Sequence, residues 1–270
     1  MSHPWGSELA SLWTRQVPPS RPTPGEIAIF TRFARTLQAK FSRRLDLTIL
    51  GSTPEFQDWG FQEYFNVTVV DKSPEYHQAI RREVRHKESS PRLVVNLWEE
   101  LNLPDSADLV VGDLTFGNVP RDRFQDFLRS VYRTLRPEGL FMGKNVFQPI
   151  SPLPDLDETL ARYRSGPRFH PYSALAYFFA MDVFDSESQT IDFQKLFQRV
   201  CSADEQRLLH PGDIDMFRKV GLEVALSEPF FVPSRIDFEE LIAKLGFSVI
   251  AIEHTDDVFT EYYPLYILEK

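Results

Sequence analysis

The sequence predicts an α/β fold built on a mostly parallel sheet. Three observations carry that expectation: β-branched apolar runs of strand length recur along the chain, amphipathic stretches of helix length separate them, and 270 residues with 42% apolar side chains suffice to fill one core.

The elements follow in order. Thr23, Pro24 and Glu26 form a helix-start signal, because Thr23 can cap, Pro24 fits the first turn and Glu26 can reach back to the cap N–H. A helix over Glu26 to Phe41 follows, with Ile27, Phe30, Ala34, Leu37 and Phe41 on one face. "LDLTILG" (Leu45 to Gly51) reads as the first, buried strand, and Ser52 or Thr53 with Pro54 reads as a turn into a second helix. "NVTVVD" (Asn66 to Asp71) is a second strand and "PEYHQAIRREVRH" a polar helix. "RLVVNLW" (Arg92 to Trp98) and "ADLVVGD" (Ala107 to Asp113) are the third and fourth strands, "RDRFQDFLRSVYRTL" (Arg121 to Leu135) a long amphipathic helix, and "RPEGLFMGKNVF" (Arg136 to Phe147) a turn and a fifth strand. Strand and helix alternating in this way imply right-handed crossovers.

The alternation stops near Ser151. Residues to about Arg235 read as helices and loops, an insertion rather than a second sheet, including "DLDETLARYRSG", "FHPYSALAYFFAMDVFD" and "DFQKLFQRVC". "DFEELIAKLGF", "SVIAIEH" and "YYPLYILEK" then give a helix and two strands, and a hairpin between the strands sets the last one antiparallel. The expected division is 1–25 as an N-terminal lid, 26–150 as the core, 151–235 as the insertion and 236–270 as the last core elements.

Composition restricts the function classes. A formal charge of −9 lacks the basic balance of a general nucleic-acid binder. No apolar run reaches the roughly 20 residues that span a bilayer, and the first residues lack a signal-peptide pattern, so a cytoplasmic protein is expected. Cys201 is the single cysteine and reads as a small buried hydrophobe. His3, His77, His86 and His210 lie in polar surroundings without ligand spacing, so no metal site is expected.

Open parallel sheets bind ligands at the carboxyl ends of their strands near the topological switch point. Gly51 ends the first strand and permits close backbone approach, with Ser52, Thr53 and Glu55 at the helix start beyond it. Asp71, followed by Lys72, ends the second strand at the distance from Gly51 where an acid accepts ribose hydroxyls. Asn96, Leu97 and Trp98 end the third, and Asp113, Leu114 and Thr115 the fourth.

With "ILGSTPE", "VTVVDKSP", "NLWEELNLPDSADLVVGD" and "LRPEGLFMGKNVF" in this order, the chain resembles the class I S-adenosylmethionine-dependent methyltransferases, in a subgroup with a Gly-x-Thr-Pro-Glu loop. The resemblance implies a Rossmann-like seven-stranded sheet, mostly parallel with an antiparallel last strand, and S-adenosylmethionine as cofactor. It implies that Gly51 to Glu55 line the methionine part, Asp71 holds the ribose, Asn96 to Trp98 flank adenine, and Asp113 to Thr115 border the sulfonium. Ile49 and Leu97 depart from the common pattern, in which acids often stand at those positions. The alternative function is therefore a catalytically degenerate cofactor-binding or regulatory module. A nicotinamide enzyme would need a G-x-G-x-x-G loop, whereas "GSTPEF" has one glycine.

Several residues keep two readings. Glu55 can meet the cofactor's amino group or simply favour a helix N-terminus. Trp98 can be a purine shelf or core packing. His170 and Tyr172, at the start of an expected cap helix, are the candidate catalytic residues for a small-molecule or peptide acceptor, or else structural parts of the insertion.

Overall fold

The computed structural model describes residues 10–11, 13–16, 18, 20–148, 155–165, 180, 182–219, 229–255 and 263–270. Its centre is a seven-stranded sheet of β1 (Asp46–Leu50), β2 (Asn66–Asp71), β3 (Arg92–Val95), β4 (Ala107–Asp113), β5 (Leu135–Lys144), β9 (Ser248–Glu253) and β10 (Leu265–Glu269). The order is β3-β2-β1-β4-β5-β10-β9. Neighbours from β3 to β5 are parallel, and β10 runs antiparallel between β5 and β9, as the hairpin reading requires.

Period-two alternation sorts the strand residues onto two faces. On one, Leu47, Ile49, Leu109, Val111, Met142 and Ile267 pack with Phe30, Ala34 and Leu37 of α1 (Pro24–Phe41) and with Phe56 and Trp59 of α2 (Pro54–Gln62). On the other, Leu50, Val110, Phe141, Tyr266 and Leu268 meet α4 (Phe124–Thr134) and α8 (Arg235–Leu245); α3 (Pro74–Ile80) lies between β2 and β3 in the chain. The first helix starts as the sequence indicates. Thr23 Oγ1 accepts from the Glu26 N–H at 3.2 Å, and the Glu26 carboxylate accepts from the Thr23 N–H at 3.0 Å, a complete capping box.

Several strand and helix limits shift: the polar helix expected through His86 ends at Ile80 and passes into a 3-10 turn, Arg81–Glu83, and β5 begins at Leu135, which was expected to end the preceding helix. β3 stops at Val95 instead of Trp98, because the Asn96 carboxamide oxygen takes the Leu97 N–H at 2.8 Å and the chain turns through a 3-10 segment, Trp98–Glu100. β5 ends at Lys144 instead of Phe147, because Asn145 turns to serve the loop after β4. Arg121–Arg123 form a 3-10 turn before the amphipathic helix begins at Phe124.

The insertion corrects a larger expectation, since it does contain a second sheet. Besides α5 (Leu156–Ser165), α6 (Phe193–Glu205) and α7 (Asp213–Lys219), the short strands β6 (Phe184–Asp185), β7 (Thr190–Ile191) and β8 (Phe230–Phe231) pair antiparallel. Strands of two residues are too short to carry a readable period, which is why they are absent from the pattern. Thr190 and Ile191 opposite Phe231, Phe230 and Phe184 are the aromatic and β-branched cross-strand pairs that hold such a sheet.

The insertion has its own apolar cluster, with Leu160, Ile191, Leu196, Val200 and Val232, and it meets the core through Val146 and Leu114. Gly117 seals one contact, for a Cβ there would lie 2.0 Å from the Phe230 ring. Gly117→Ala should therefore displace Phe230 and cost about 1 to 3 kcal/mol. Urea unfolding would measure it, with near-wild-type stability as the outcome that removes this contact from the docking.

Candidate functional site

Strand register fixes the site. Leu50 pairs with Val70 and with Gly112, and Asp113 pairs with Lys144, so Asp71, Gly51, Asp113 and Lys144 form one row along the carboxyl edge. The order reverses between β1 and β4, which puts the switch point between Gly51 and Asp113.

Gly51 adopts φ +88°, a conformation that L side chains rarely take, and its N–H donates to the Val70 carbonyl at 2.9 Å. The Trp98 indole lies against it: a Cβ on Gly51 would sit 3.3 Å from the ring, and Trp98 Nε1 donates to the Val70 carbonyl at 2.9 Å. Trp98 also packs beside Phe127, at 6.4 Å between centroids, so it backs the turn as core. Thr53 is the N-cap of α2 by position but makes no side-chain cap bond. The adjoining end of β3 instead exposes apolar Val95 and Leu97, 56% and 38% accessible.

Asp71 is buried and oriented from two sides. Its Oδ2 accepts from Ser52 Oγ at 2.6 Å and its Oδ1 from the Ser73 N–H at 2.9 Å, leaving acceptor capacity on both oxygens. Burial raises its pKa, against the lowering effect of Ser52, the Ser73 N–H and exposed Lys72. Ser52 Oγ also lies 3.0 Å from His77 Nδ1. Because the Ser52 proton is committed to the carboxylate, His77 donates from Nδ1, and burial followed by Arg81 lowers its pKa. The polar surroundings read for His77 are those of a buried residue: it is 8% exposed, one turn inside α3, facing the glycine turn.

Glu55 is the acid at the mouth. Arg21 pairs with its Oε1 through Nε at 2.9 Å and through Nη2, and Trp13 Nε1 approaches the same oxygen at 3.4 Å. Its Oε2 is buried with no hydrogen-bond partner among the described residues. Trp13 and Arg21 thereby bring the segment before α1 onto the row of strand ends.

Asp113 and Lys144 complete the row. Lys144 Nζ lies 3.2 Å from Asp113 Oδ1, 2.9 Å from Glu26 Oε1 and 3.3 Å from the Arg21 carbonyl. All three charged side chains are at most 6% exposed. One ammonium between two carboxylates has its own pKa raised in spite of burial. Burial pushes Asp113 up to about 7, Lys144 opposing and Glu26 and Glu55 adding to the shift. Beyond Asp113 the backbone is strained: Leu114 has φ +51° and donates its N–H to the Lys144 carbonyl at 2.8 Å. Asn145 holds the next turn, its Oδ1 accepting from the Phe116 N–H at 3.1 Å and from Thr115 Oγ1 at 3.2 Å.

The structure therefore gathers Gly51, Ser52, Thr53, Glu55, Asp71, Asp113, Leu114 and Thr115 at the row, with Asn96, Leu97 and Trp98 at its β3 end and Lys72 exposed beside it. His170 and Tyr172 lie outside the described residues. Sequence reading missed Arg21, Glu26, His77 and Asn145 as site residues. A basic residue before the capping box and an acid inside it are ordinary helix-start chemistry, so only the tertiary fold reveals their second use.

The family described as a methyltransferase domain matches residues 51–143. No curated protein matches the chain in sequence. Among solved structures, a Rhodobacter sphaeroides protein provisionally assigned as a zinc-dependent alcohol dehydrogenase is 14% identical, with a TM-score of 0.58 and 100% and 99% of the two chains covered. A Clostridium acetobutylicum S-adenosylmethionine-dependent methyltransferase is 11% identical, with a TM-score of 0.56 and 97% and 98% covered. A Pyrococcus horikoshii protein is 17% identical, with a TM-score of 0.54 and 96% and 97% covered. At such identities the likeness is one of fold.

Asp113 gives a pH-dependent stability. Its carboxyl titrates higher in the fold, at about 7, than in an unfolded chain, at about 4, so its ionisation opposes folding across that window. Wild type should lose stability relative to Asp113→Asn as pH climbs from about 4 to about 7, by at most about 1.4 kcal/mol per pH unit, and the difference should be flat above. Urea titrations of both proteins at several pH values measure this. A pH-independent difference would mean that Asp113 titrates normally.

Proposed function

We propose that this chain, whose residues 51–143 form a methyltransferase domain on the class I fold, uses S-adenosylmethionine to methylate a small-molecule or peptide acceptor. The observation that carries the reading is the buried, unpartnered Glu55 Oε2 beside two strand-end carboxylates at the switch point. Burial of an unsatisfied charged acceptor is costly, and a ligand ammonium relieves it. An amino-acid end at Glu55 and a ribose at Asp71 are the two polar ends of one cofactor. When bound, that cofactor supplies a methyl group on a positively charged sulfur.

The residues then take distinct roles. Asp71 accepts the ribose hydroxyls, held in register by Ser52 and the Ser73 N–H. Glu55 receives the ammonium with its free oxygen while Arg21 fixes the other. Exposed Val95 and Leu97, with Asn96, flank the purine, and Trp98 keeps Gly51 in its turn. Asp113, Leu114 and Thr115 border the reacting atoms. Methyl transfer needs chiefly alignment, so the apolar cluster of the insertion, which begins at Leu114 and Val146, serves as an acceptor cap that excludes water. The N-terminal segment acts as a lid through Trp13 and Arg21, and His170 and Tyr172 remain the residues of the cap proposed to contact the acceptor.

S-adenosylhomocysteine should raise the melting temperature in a concentration-dependent way, by mass action. Asp71→Ala should weaken its binding by more than about tenfold, since each charge-assisted bond to ribose contributes about 1.5 to 3 kcal/mol. Calorimetric titration reads both. No binding by wild type at millimolar ligand refutes the cofactor, and an unchanged dissociation constant in the variant moves the ribose elsewhere.

A further inference from the structure

We propose that His77 is a positioning residue for the cofactor's ribose, acting through Ser52: its Nδ1 proton sets the direction of a hydrogen-bond chain, from His77 to Ser52 to Asp71, that presents Asp71 purely as an acceptor. The inference rests on the cofactor reading above and adds to it a residue that acts on the ligand only through another.

The main chain of Ser52 is fixed without help from its side chain. Gln57 Nε2 of α2 donates to the Ser52 carbonyl at 2.9 Å, and Arg81 Nη1, just past α3, donates to Gln57 Oε1 at 3.2 Å, so the buried carboxamide is satisfied at both ends. Arg81 is held in turn by the Ser89 carbonyl, which accepts from Nη2. On the near side the Gly51 N–H is tied to the Val70 carbonyl. What remains free at Ser52 is the rotation of its hydroxymethyl group among three staggered positions, and of the hydroxyl proton.

Two side chains remove that freedom. Ser52 Oγ lies 2.6 Å from Asp71 Oδ2 and 3.0 Å from His77 Nδ1, and all three residues are at most 8% exposed. A hydroxyl has a single proton to give. An imidazole protonated only at Nε2 would accept that proton at Nδ1 and leave a buried carboxylate oxygen without its donor, which is costly. An imidazole protonated at Nδ1 fills a lone pair of Oγ instead, and the Ser52 proton goes to Asp71. Hydrogen bonds linked in this way polarise and strengthen one another. Burial lowers the pKa of His77, so its neutral form is the one whose tautomer matters. Asp71, with the Ser73 N–H on Oδ1 at 2.9 Å, then offers only lone pairs, as a ribose donating both hydroxyl protons requires. Ser73 is the N-cap of α3, so one short helix supplies both the N–H on Asp71 and the imidazole behind Ser52.

The experiment joins calorimetric titration of the full chain with S-adenosylhomocysteine to nitrogen NMR of its histidines. His77→Ala should weaken binding by about three- to tenfold, the range of one buried hydrogen bond. His77→Asn should restore it to within about twofold of wild type, because the carboxamide N–H stands where Nδ1–H stood. In a Ser52→Ala background, removing His77 should cost less than about twofold more, since the path runs through that hydroxyl. The neutral His77 imidazole of wild type should carry its proton on Nδ1. Unchanged affinity in folded His77→Ala, no recovery in His77→Asn, or a fully additive loss beside Ser52→Ala overturns the inference while leaving the cofactor reading intact. Failure of wild type to bind refutes the cofactor reading, and the positioning role falls with it. Should the variants unfold, the wild-type spectrum decides, and a neutral imidazole protonated at Nε2 overturns the inference.

Discussion

One buried ammonium organises the mouth of this sheet. Lys144 draws together the end of β5, the end of β4 and the first turn of α1, and it also takes the Arg21 carbonyl of the segment before that helix. Burying a charge is costly unless it is paired, and here one cation is shared by two acids and offsets only part of the burial cost of Asp113. The result is specificity of position, because one ammonium touches all three acceptors at once. A helix start, two strand ends and a loop are thereby fixed to one another, and the strained Leu114 backbone is tolerated because its N–H is held by the same lysine's carbonyl.

The two sides of the switch point are built on opposite electrostatic principles. Around Asp71 the polar groups are neutral donors, a serine hydroxyl and a backbone N–H, backed by a neutral imidazole. Around Asp113 the partners are full charges. The carboxyl edge is thus held by neutral donors on one side of Gly51 and by full charges on the other.

Much of the fold was legible in the sequence because local and tertiary preferences agree. The β-branched runs from Leu47, Val67, Leu93 and Leu109 became neighbouring parallel strands, and Thr23-Pro24-Gly25-Glu26 became the expected capping box. The strand-end acids Asp71 and Asp113 were legible for the same reason, since a strand that ends at the ligand edge places its last residue there. What escaped the sequence was contact between distant segments. Nothing local joins His77 to Ser52, Asn145 to Phe116 or Glu26 to Lys144, for each pair meets only when the crossovers close. The small sheet of the insertion escaped for a different reason, its strands being shorter than any pattern that could reveal them.

The placement of β10 bears on how the chain comes to be folded at all. The last strand in sequence is not an edge; it lies between β5 and β9 and pairs with both, Ile267 opposite Met142 on one side and Ala251 on the other. During synthesis β1 to β5 emerge early and can pair among themselves, but β5 must wait with one flank open through the whole insertion. Closing that gap is a long-range event that follows an entropically demanding loop closure. Until then the nascent sheet presents an unpaired edge carrying Phe141 and Met142, the kind of surface that recruits wrong partners. Yield in the cell would thus be governed by how long β5 stays open between its own emergence and the pairing of β10.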